Sequence, residues 1–200
     1  MIYLASQSPR RRALLEQLGV AYELLLPLPD EDSEALECVL PNEAAVDYVQ
    51  RVTRAKAQAA GKRLRHLRKP TKLILTADTT VALDGAILGK PADTAAALQM
   101  LTSLNGRTHD VLTAVALLDP ETGVVNEALN RSAVTFGIID PAELAAYAAS
   151  GDPLDKAGAY GIQGAAGRFV ERIDGSFSGI MGLPLFETHR LLINHATLLR

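Results

Sequence analysis

The chain has no tryptophan, a single cysteine and few aromatic residues, which make up 4% of its 200 residues. Because nucleic acids are often bound on stacked aromatic side chains, this scarcity argues against a nucleic-acid-binding surface. The lone Cys38 cannot form an intramolecular disulfide, which fits a reducing compartment. No apolar run approaches the roughly 18 residues of a membrane-spanning helix, and the N-terminal apolar stretch is too short for a signal peptide. We therefore expect a cytoplasmic protein without a membrane or nucleic-acid partner.

Glycine and proline occur at ordinary frequency, with 15 and 10 residues, which excludes collagen-like and disordered classes. The composition is 48% hydrophobic and 22% charged, and a chain of this length can bury a core without cross-links. No repeat or linker divides it. We predict a single domain over residues 1–200, with a homodimer as the default assembly.

The net charge of −3 conceals a segregation of charge along the chain. Seven acidic residues and no basic residue lie between Asp30 and Asp47, whereas nine basic residues and no acidic residue lie between Tyr48 and Ala77. Such a pattern fits a nucleic-acid patch, a site for a metal ion and phosphates, or merely solvated faces. The charge pattern alone leaves all three interpretations open.

Strand and helix patterns alternate along the chain. Strands are predicted over residues 2–5, 22–26, 73–77, 79–83, 86–88, 108–118, 124–136 and 167–173, and helices over 9–18, 43–60, 94–104, 141–149 and from 184 onward. The turn Asp84-Gly85 predicts a hairpin between two of these strands. Because crossover and hairpin connections are mixed, we expect an α/β fold with one twisted mixed sheet, splayed into two lobes around a cleft.

The loop from Ser6 to Arg12 is the first candidate binding site. Ser8 is suited to cap a helix and Pro9 to occupy its first position, so the loop leads into a helix N-terminus. Such a terminus offers free N–H groups and partial positive charge, to which three arginines are added here. Cations are unfavourable in a first turn, which binding of a polyphosphate would explain; solvated surface arginines are the other interpretation.

Lys56 lies on an otherwise apolar face of its predicted helix. At roughly 100° per residue it shares one stripe with Ala45, Val49, Val52 and Ala59. Two interpretations are open. Either Lys56 points into a cleft, where its ammonium would contact a phosphate, or it lies along the edge of the stripe with its ammonium in water.

Asp78 directly follows the apolar run 73–77, which predicts a buried strand ending at this acid. Ligand-binding groups of α/β sheets collect at the carboxyl ends of strands, so Asp78 is a candidate for holding Mg²⁺ or accepting a proton from water. Thr79 adds a hydroxyl next to it. A turn or helix-capping aspartate is the alternative interpretation.

Two further segments could contact a ligand. Gly89-Lys90-Pro91 is not a Walker loop, because Pro91 stands where that motif has its metal-binding hydroxyl. Glycine recurs at every third position from Gly158 to Gly167, around Gln163. These glycines would let the backbone approach a ligand, and the Gln163 amide is complementary to O4 and N3–H of uracil or thymine. A solvated surface loop is the alternative.

Taken together, these segments resemble the Maf family of nucleoside triphosphate pyrophosphatases. The resemblance runs in order through residues 4–11, 56–57, 77–79, 89–91, 106–109, 155–164, 175–176 and 181–185. It implies an ITPase-like α/β fold, with a long mixed sheet flanked by helices and two lobes around a central cleft. It also implies hydrolysis of a nucleotide to its monophosphate and pyrophosphate, with a divalent cation, Mg²⁺ or Mn²⁺, as cofactor.

The resemblance further implies roles for individual residues. The stretch Tyr160–Gly164 resembles the branch of the family that acts on dTTP and UTP. Asp78 would then be the proton acceptor, and one of the acids in residues 30–37, where no motif fixes the length of the loop, would be its metal-binding partner; we place it at Glu31. The remaining implied residues set base specificity (Arg10, Thr79, Gln163) or hold the triphosphate (Ser6, Arg11, Lys56, Lys90).

On this hypothesis, water attacks the α-phosphorus, Asp78 takes its proton, and cationic side chains stabilise the departing pyrophosphate. Two alternatives stay open. One is the same hydrolase with another substrate, such as a modified pyrimidine nucleotide, CTP or 7-methyl-GTP. The other is a nucleotide- or nucleic-acid-binding regulatory protein linked to cell division and septum formation, for which residues 51–72 would supply the basic surface.

Overall fold

A computed structural model describes residues 1–32 and 35–198, with side chains up to His195. The acidic residue Glu34 therefore lies outside the described residues. The strands are β1 (Ile2–Leu4), β2 (Tyr22–Leu24), β3 (Ile74–Leu83), β4 (Ala86–Leu88), β5 (Thr108–Leu118), β6 (Val125–Phe136) and β7 (Val170–Asp174). The helices are α1 (Pro9–Gln17), α2 (Ala45–His66), α3 (Thr94–Leu104), α4 (Pro141–Ala149), α5 (Phe177–Met181) and α6 (Leu185–Leu198).

The strands form one mixed sheet in the order β2-β1-β3-β5-β6-β7, with β4 paired to β3 outside this path. β1 runs parallel to β2 and β3, whereas the pairs from β3 through β7 are antiparallel. The predicted long mixed sheet flanked by helices is therefore confirmed. The Asp84-Gly85 hairpin is also confirmed, because β3 and β4 pair on either side of it.

The pairing of β3 is interrupted along one of its edges. Its partner on one side is β5, which pairs with it from Ile74 to Ala82. On the other side, β1 pairs with Ile74 and Leu75, and β4 pairs with Val81, Ala82 and Leu83. Within the part of the chain that the structure describes, residues 76–80 have no strand neighbour on that side. Asp78 lies at the centre of this gap.

Helices cover the first half of the sheet on both faces. Ala57, Ala60 and Leu64 of α2 pack with Ile74 and Leu118 on one face. On the other face, Leu14 and Leu15 of α1 pack with Leu75, Leu117 and Leu183. The second half of the sheet has its own cluster, in which residues of α3 and α4 surround aromatic side chains such as Phe136 and Phe169. These clusters lie on either side of the gap in β3 and form the two predicted lobes.

Three element predictions were wrong in ways that matter for the site. β3 does not end at Asp78 but continues to Leu83, because its polar side chains find tertiary partners; Thr76, for example, donates to the Thr53 carbonyl at 3.2 Å. α2 runs six residues beyond the predicted end at residue 60, to His66. Residues 165–169 form a short 3₁₀ turn instead of the first part of β7.

Candidate functional site

A cleft of about 610 Å³ opens at the gap in β3, within the range of small-molecule sites. It is lined by every residue that the sequence predicted for the site: Ser6, Arg10, Arg11, Glu31, Lys56, Asp78, Thr79, Lys90 and Gln163. These residues come from the loop before α1, the acidic segment, α2, β3, the loop after β4 and the glycine-rich segment. The fold therefore gathers residues that are far apart in the sequence around the interrupted edge of one strand.

Arg11 is built into the wall of the cleft near the start of α1. Ser8 caps this helix and accepts from the Arg11 backbone N–H, as predicted. The Arg11 guanidinium donates to the Gly182 carbonyl at 2.8 Å, to Ser6 Oγ at 3.4 Å and to Thr79 Oγ1 at 3.3 Å. Burial lowers the pKa of Arg11, and the charge of Asp78 opposes this shift. The result is a partly buried, oriented cation beside the free N–H groups of a helix N-terminus.

Asp78 and Thr79 point to opposite faces of β3, as neighbouring residues in a strand do. The Thr79 hydroxyl lies 2.9 Å from Thr113 Oγ1 and also accepts from Arg11, so it belongs to the Arg11 face. Asp78 instead contacts α2 on the other face. Because both residues line the same cleft, a ligand at the open edge of β3 can reach both faces of the strand.

Lys56 projects into the cleft and lies between two carboxylates. Its Nζ donates to Asp78 Oδ1 at 2.6 Å and to Glu37 Oε1 at 2.7 Å. The other Glu37 oxygen lies 3.4 Å from Lys90 Nζ. Of the two interpretations of Lys56, the structure therefore favours the one in which it points into the cleft. Asp78 itself is held by a central strand and is largely buried.

The structure places Glu37, rather than Glu31, beside Asp78 and Lys56. The Glu31 carboxylate is bound by Arg63, whose Nε lies 2.9 Å from Glu31 Oε1 and whose Nη2 donates to the other oxygen. These hydrogen bonds lower the pKa of Glu31. For Glu37, burial acts to raise the pKa, but the charges of Lys56 and Lys90 outweigh it and the net shift is downward. Glu31 lines the cleft, yet its charge is already matched.

Contacts with α2 hold Glu37 in this position. The residue ends a 3₁₀ turn over Ala35–Glu37, and its carbonyl accepts from Tyr48 Oη at 3.0 Å. Arg51 donates to the Cys38 carbonyl at 2.8 Å and pairs with Glu43. Sequence reasoning did not choose Glu37 among the acids of residues 30–37, because the acidic segment carries no local motif that fixes its path. The many basic residues along α2 indicated that acidic partners lie nearby, but they did not identify which acid pairs with which base.

The glycine-rich segment closes the cleft on the side of the second lobe. Gly158 adopts a left-handed φ of 68°, and a Cβ there would lie 2.9 Å from the side chain of Val81. Its N–H donates to the Gly89 carbonyl at 3.1 Å, which joins this segment to the loop that carries Lys90. Gln163 is exposed to the cleft. Its amide makes no hydrogen bond to another residue in the described ranges, so it is available to a ligand.

Arg10 lies at the same end of the cleft as Gln163. No hydrogen bond or ion pair joins its guanidinium to another side chain that the structure describes. Its charge nevertheless acts on two nearby acids, because it contributes to lowering the pKa of Asp152 and Asp155, after larger effects from their own neighbours. Arg10 is therefore a cation that a ligand could engage without breaking an existing pair.

The residues present fit a divalent cation that completes its coordination with substrate. Among residues 1–32 and 35–198, no group of three or more His, Cys, Asp or Glu side chains could hold a metal ion. The Lys56 ammonium, however, lies within 2.7 Å of both the Asp78 and Glu37 carboxylates, so this position already favours positive charge. Two carboxylates plus substrate phosphates are a typical Mg²⁺ environment.

These features define a site for an anionic, phosphate-bearing ligand with a hydrogen-bonding group at its other end. The Maf-like protein family model matches residues 1–195, and the chain belongs to this family. It is 63% identical over 191 residues to a protein of Burkholderia pseudomallei strain 1710b named dTTP/UTP pyrophosphatase, covering 96% of this chain and 91% of that protein.

Proteins of the same name in other bacteria are similarly close. The one from Cupriavidus pinatubonensis is 60% identical over 96% of this chain and 94% of its own length. The one from Ralstonia nicotianae is 56% identical over 98% of this chain and 94% of its own length. No helix within the described residues is long and apolar enough to cross a membrane.

Proposed function

We propose that the protein hydrolyses dTTP and UTP to their monophosphates and pyrophosphate. The observation that carries this proposal is that one cleft at the gap in β3 is lined by Asp78, Lys56 and Glu37 from one face of the strand and by Arg11 from the other. The close relatives named dTTP/UTP pyrophosphatase support the choice of substrate. A cytoplasmic location follows from such a substrate, and both the homodimer and the single domain over residues 1–200 stay predictions.

The triphosphate is held by Ser6, Arg11, Lys56 and Lys90. Arg11 and Lys56 approach the gap from opposite faces of β3, so a polyphosphate crossing the open edge would meet cations on both sides. At the other end of the cleft, Arg10 and the Gln163 amide recognise the base, with Thr79 acting on base specificity from the Arg11 face. The Gln163 amide can donate to O4 and accept from N3–H of a thymine or uracil ring.

Asp78 acts as the proton acceptor for the water that attacks the α-phosphorus. Lys56, Lys90 and Arg11 stabilise the negative charge that develops on the departing pyrophosphate. A divalent cation, Mg²⁺ or Mn²⁺, would be held by Asp78 and by Glu37 in place of Glu31. When bound, it supplies Lewis-acid activation of water and neutralisation of phosphate charge.

The direct test measures pyrophosphate and dTMP released from dTTP by the purified protein with MgCl₂. We expect stoichiometric release of both products, and we expect Asp78→Asn to lower kcat by about 10³-fold or more, because removal of the proton acceptor and a metal ligand combines two losses. Circular dichroism checks that the variant remains folded. Near-normal turnover by a folded Asp78→Asn protein would refute the role of Asp78.

A matched pair of variants separates the two candidate acids. Glu37→Gln removes a charge that contacts Lys56 and Lys90, so we expect kcat/KM for dTTP to fall by about 10²-fold. Glu31→Gln removes a charge paired with Arg63, and we expect a change within about threefold at a temperature where the variant is folded. The opposite ranking would return the metal-binding role to Glu31.

The same assay with CTP and 7-methyl-GTP tests the alternative substrates. Pyrophosphate release from either one at a higher kcat/KM than from dTTP would change the assigned nucleotide. A nucleic-acid-binding regulator is less favoured, because three arginines of the basic surface are paired with acids: Arg51 with Glu43, Arg54 with Glu127 and Arg63 with Glu31. Salt-sensitive oligonucleotide binding without turnover of any triphosphate would support that alternative.

A further inference from the structure

Lys156 is a buried lysine in the segment that carries Gln163, and the hydrolytic chemistry above does not use it. Its side chain is 10% exposed. The ammonium donates to Asp155 Oδ1 at 2.6 Å, to Asp152 Oδ1 at 3.1 Å and to the Asp152 carbonyl. An ammonium has three N–H donors, so these three acceptors satisfy it. Although Lys156 lines the cleft, all three of its N–H donors are used within the protein, so none is left for a phosphate.

The carboxylates around Lys156 connect the segment to the second lobe. Asp152 accepts a hydrogen bond from Tyr147 Oη at 2.8 Å, and Tyr147 belongs to α4. Lys156 is the buried member of these pairs, since the Asp152 and Asp155 side chains are 42% and 71% exposed. Hydrogen bonds therefore link α4 to Lys156 through Tyr147 and Asp152, and they hold the start of the glycine-rich segment in place.

The methylene stem of Lys156 contacts the part of the segment that presents Gln163. A Cβ on Gly161 would lie 2.9 Å from Lys156 Cε, 3.0 Å from its Cδ and 3.3 Å from Gln163 Nε2. Gly161 does not have a left-handed φ, so an added Cβ would act here through space alone, by displacing the lysine stem. The lysine stem and the Gln163 amide nitrogen thus both border the space next to Gly161 that a Cβ would occupy.

Base recognition by a glutamine needs such a support. A carboxamide presents one acceptor and one kind of donor, and a rotation by about 180° exchanges them. One orientation matches thymine and uracil, which have an acceptor at O4 and a donor at N3. The reversed orientation matches cytosine, which has a donor at N4 and an acceptor at N3. A freely rotating Gln163 would therefore discriminate poorly between the two bases.

We propose that Lys156 is a positioning residue that fixes the orientation of the Gln163 amide and so determines the preference for thymine and uracil over cytosine. This inference rests on the proposed function, since it assigns a role within the same site. It predicts that loss of the ammonium changes the ratio between substrates more than it changes the chemical step, because the ammonium binds Asp152 and Asp155, and no hydrogen bond or ion pair within the described residues joins it to Asp78, Lys56 or Glu37.

The test compares Lys156→Met, which keeps an unbranched stem without the charge, with Lys156→Arg, which keeps the charge. Lys62→Met is the control, because Lys62 is exposed on α2. Steady-state kcat and KM are measured for dTTP and dCTP with MgCl₂. We expect Lys156→Met to lower the dTTP-to-dCTP ratio of kcat/KM by about tenfold or more, mainly through KM, with kcat for dTTP within about threefold. Lys156→Arg should restore part of the ratio, and Lys62→Met should leave it unchanged.

An unchanged dTTP-to-dCTP ratio of kcat/KM in folded Lys156→Met protein would overturn the proposal. An equal fall in kcat for both nucleotides would also overturn it, because it would place Lys156 in phosphate binding. If Lys156→Met does not fold, Gly161→Ala serves instead, because it keeps the charge but displaces the stem and the amide; an unchanged ratio there would equally overturn the proposal. If the wild-type protein does not hydrolyse dTTP, the proposed function fails separately. Calorimetric binding of α,β-imido-dUTP against α,β-imido-dCTP then reports discrimination without turnover.

Discussion

Burial of His109 in β5 predicts a specific loss of stability in mild acid. The residue is 3% exposed, and its Nε2 lies 2.8 Å from Tyr160 Oη. Its ring meets the ring of Phe136 edge-on. Burial lowers the pKa of His109 to about 4, although the charge of Asp110 acts in the opposite direction. His109 is therefore neutral in the folded protein at neutral pH.

The sign and size of the effect follow from proton linkage. As the pH falls below about 6.5, the unfolded chain takes up a proton at this histidine, whereas the folded protein does so only near pH 4. The contribution to stability is thus complete above pH 6.5 and is lost as the pH falls toward 4. With about 1.4 kcal/mol for each pKa unit, the full loss is about 3 kcal/mol, of which about 2 kcal/mol falls between pH 7 and pH 5.

The assay is urea unfolding at pH 7, 6 and 5, for the wild-type protein and for His109→Gln. The variant is expected to be less stable at pH 7, because it loses ring packing against Phe136 and Tyr160. The two proteins are compared by how much their free energy of unfolding changes with pH. Acidic side chains contribute equally to this change in both proteins, so the difference reports on His109. We expect the wild-type protein to lose about 2 kcal/mol more than the variant from pH 7 to pH 5. Parallel pH dependences would refute the assignment of a buried neutral histidine.

Two further predictions concern stability. Arg63→Met should lower the free energy of unfolding by about 2–4 kcal/mol, because it leaves the Glu31 carboxylate and the buried Leu25 carbonyl without their donor. Arg54→Met removes an exposed ion pair and should cost less than about 1 kcal/mol. Equal losses in urea unfolding would contradict this ranking. Gly158→Ala should cost more than about 2 kcal/mol through strain and contact with Val81, whereas Gly85→Ala, with a left-handed φ but open space, should cost about 1 kcal/mol. Thermal unfolding of the two variants checks this order.

Elements with strong local signals could be predicted from the sequence. Ser8 and Pro9 mark the start of α1, and the Asp93 side chain caps α3 by accepting from the Ala96 N–H at 2.8 Å. β5 has the predicted bounds, because its long β-rich run is set off by turn residues. In these places the neighbouring residues alone determine the backbone conformation, so a single sequence carries enough information.

The parts that depended on tertiary contacts could not be predicted in the same way. Asp78 resembles a strand end in sequence, but it lies within a strand because α2 supplies Lys56 as its partner. Glu37 and Glu31 are equivalent by composition, and only their partners on α2 separate them. Lys156 was part of a recognised motif, but its burial beside Gly161 and its pairing with Asp155 depend on the folded path of the segment.

The interrupted edge of β3 has a consequence for how the cleft responds to mutation. Five consecutive residues of the strand, 77–81, line the cleft, and over residues 76–80 no other described strand covers that edge. Main-chain atoms therefore form part of the ligand-facing surface, and no side-chain substitution removes them. Substitutions in this cleft can change which groups of a ligand are bound at its two ends. The main-chain edge of β3 at its centre stays the same, so specificity can change without loss of this central surface.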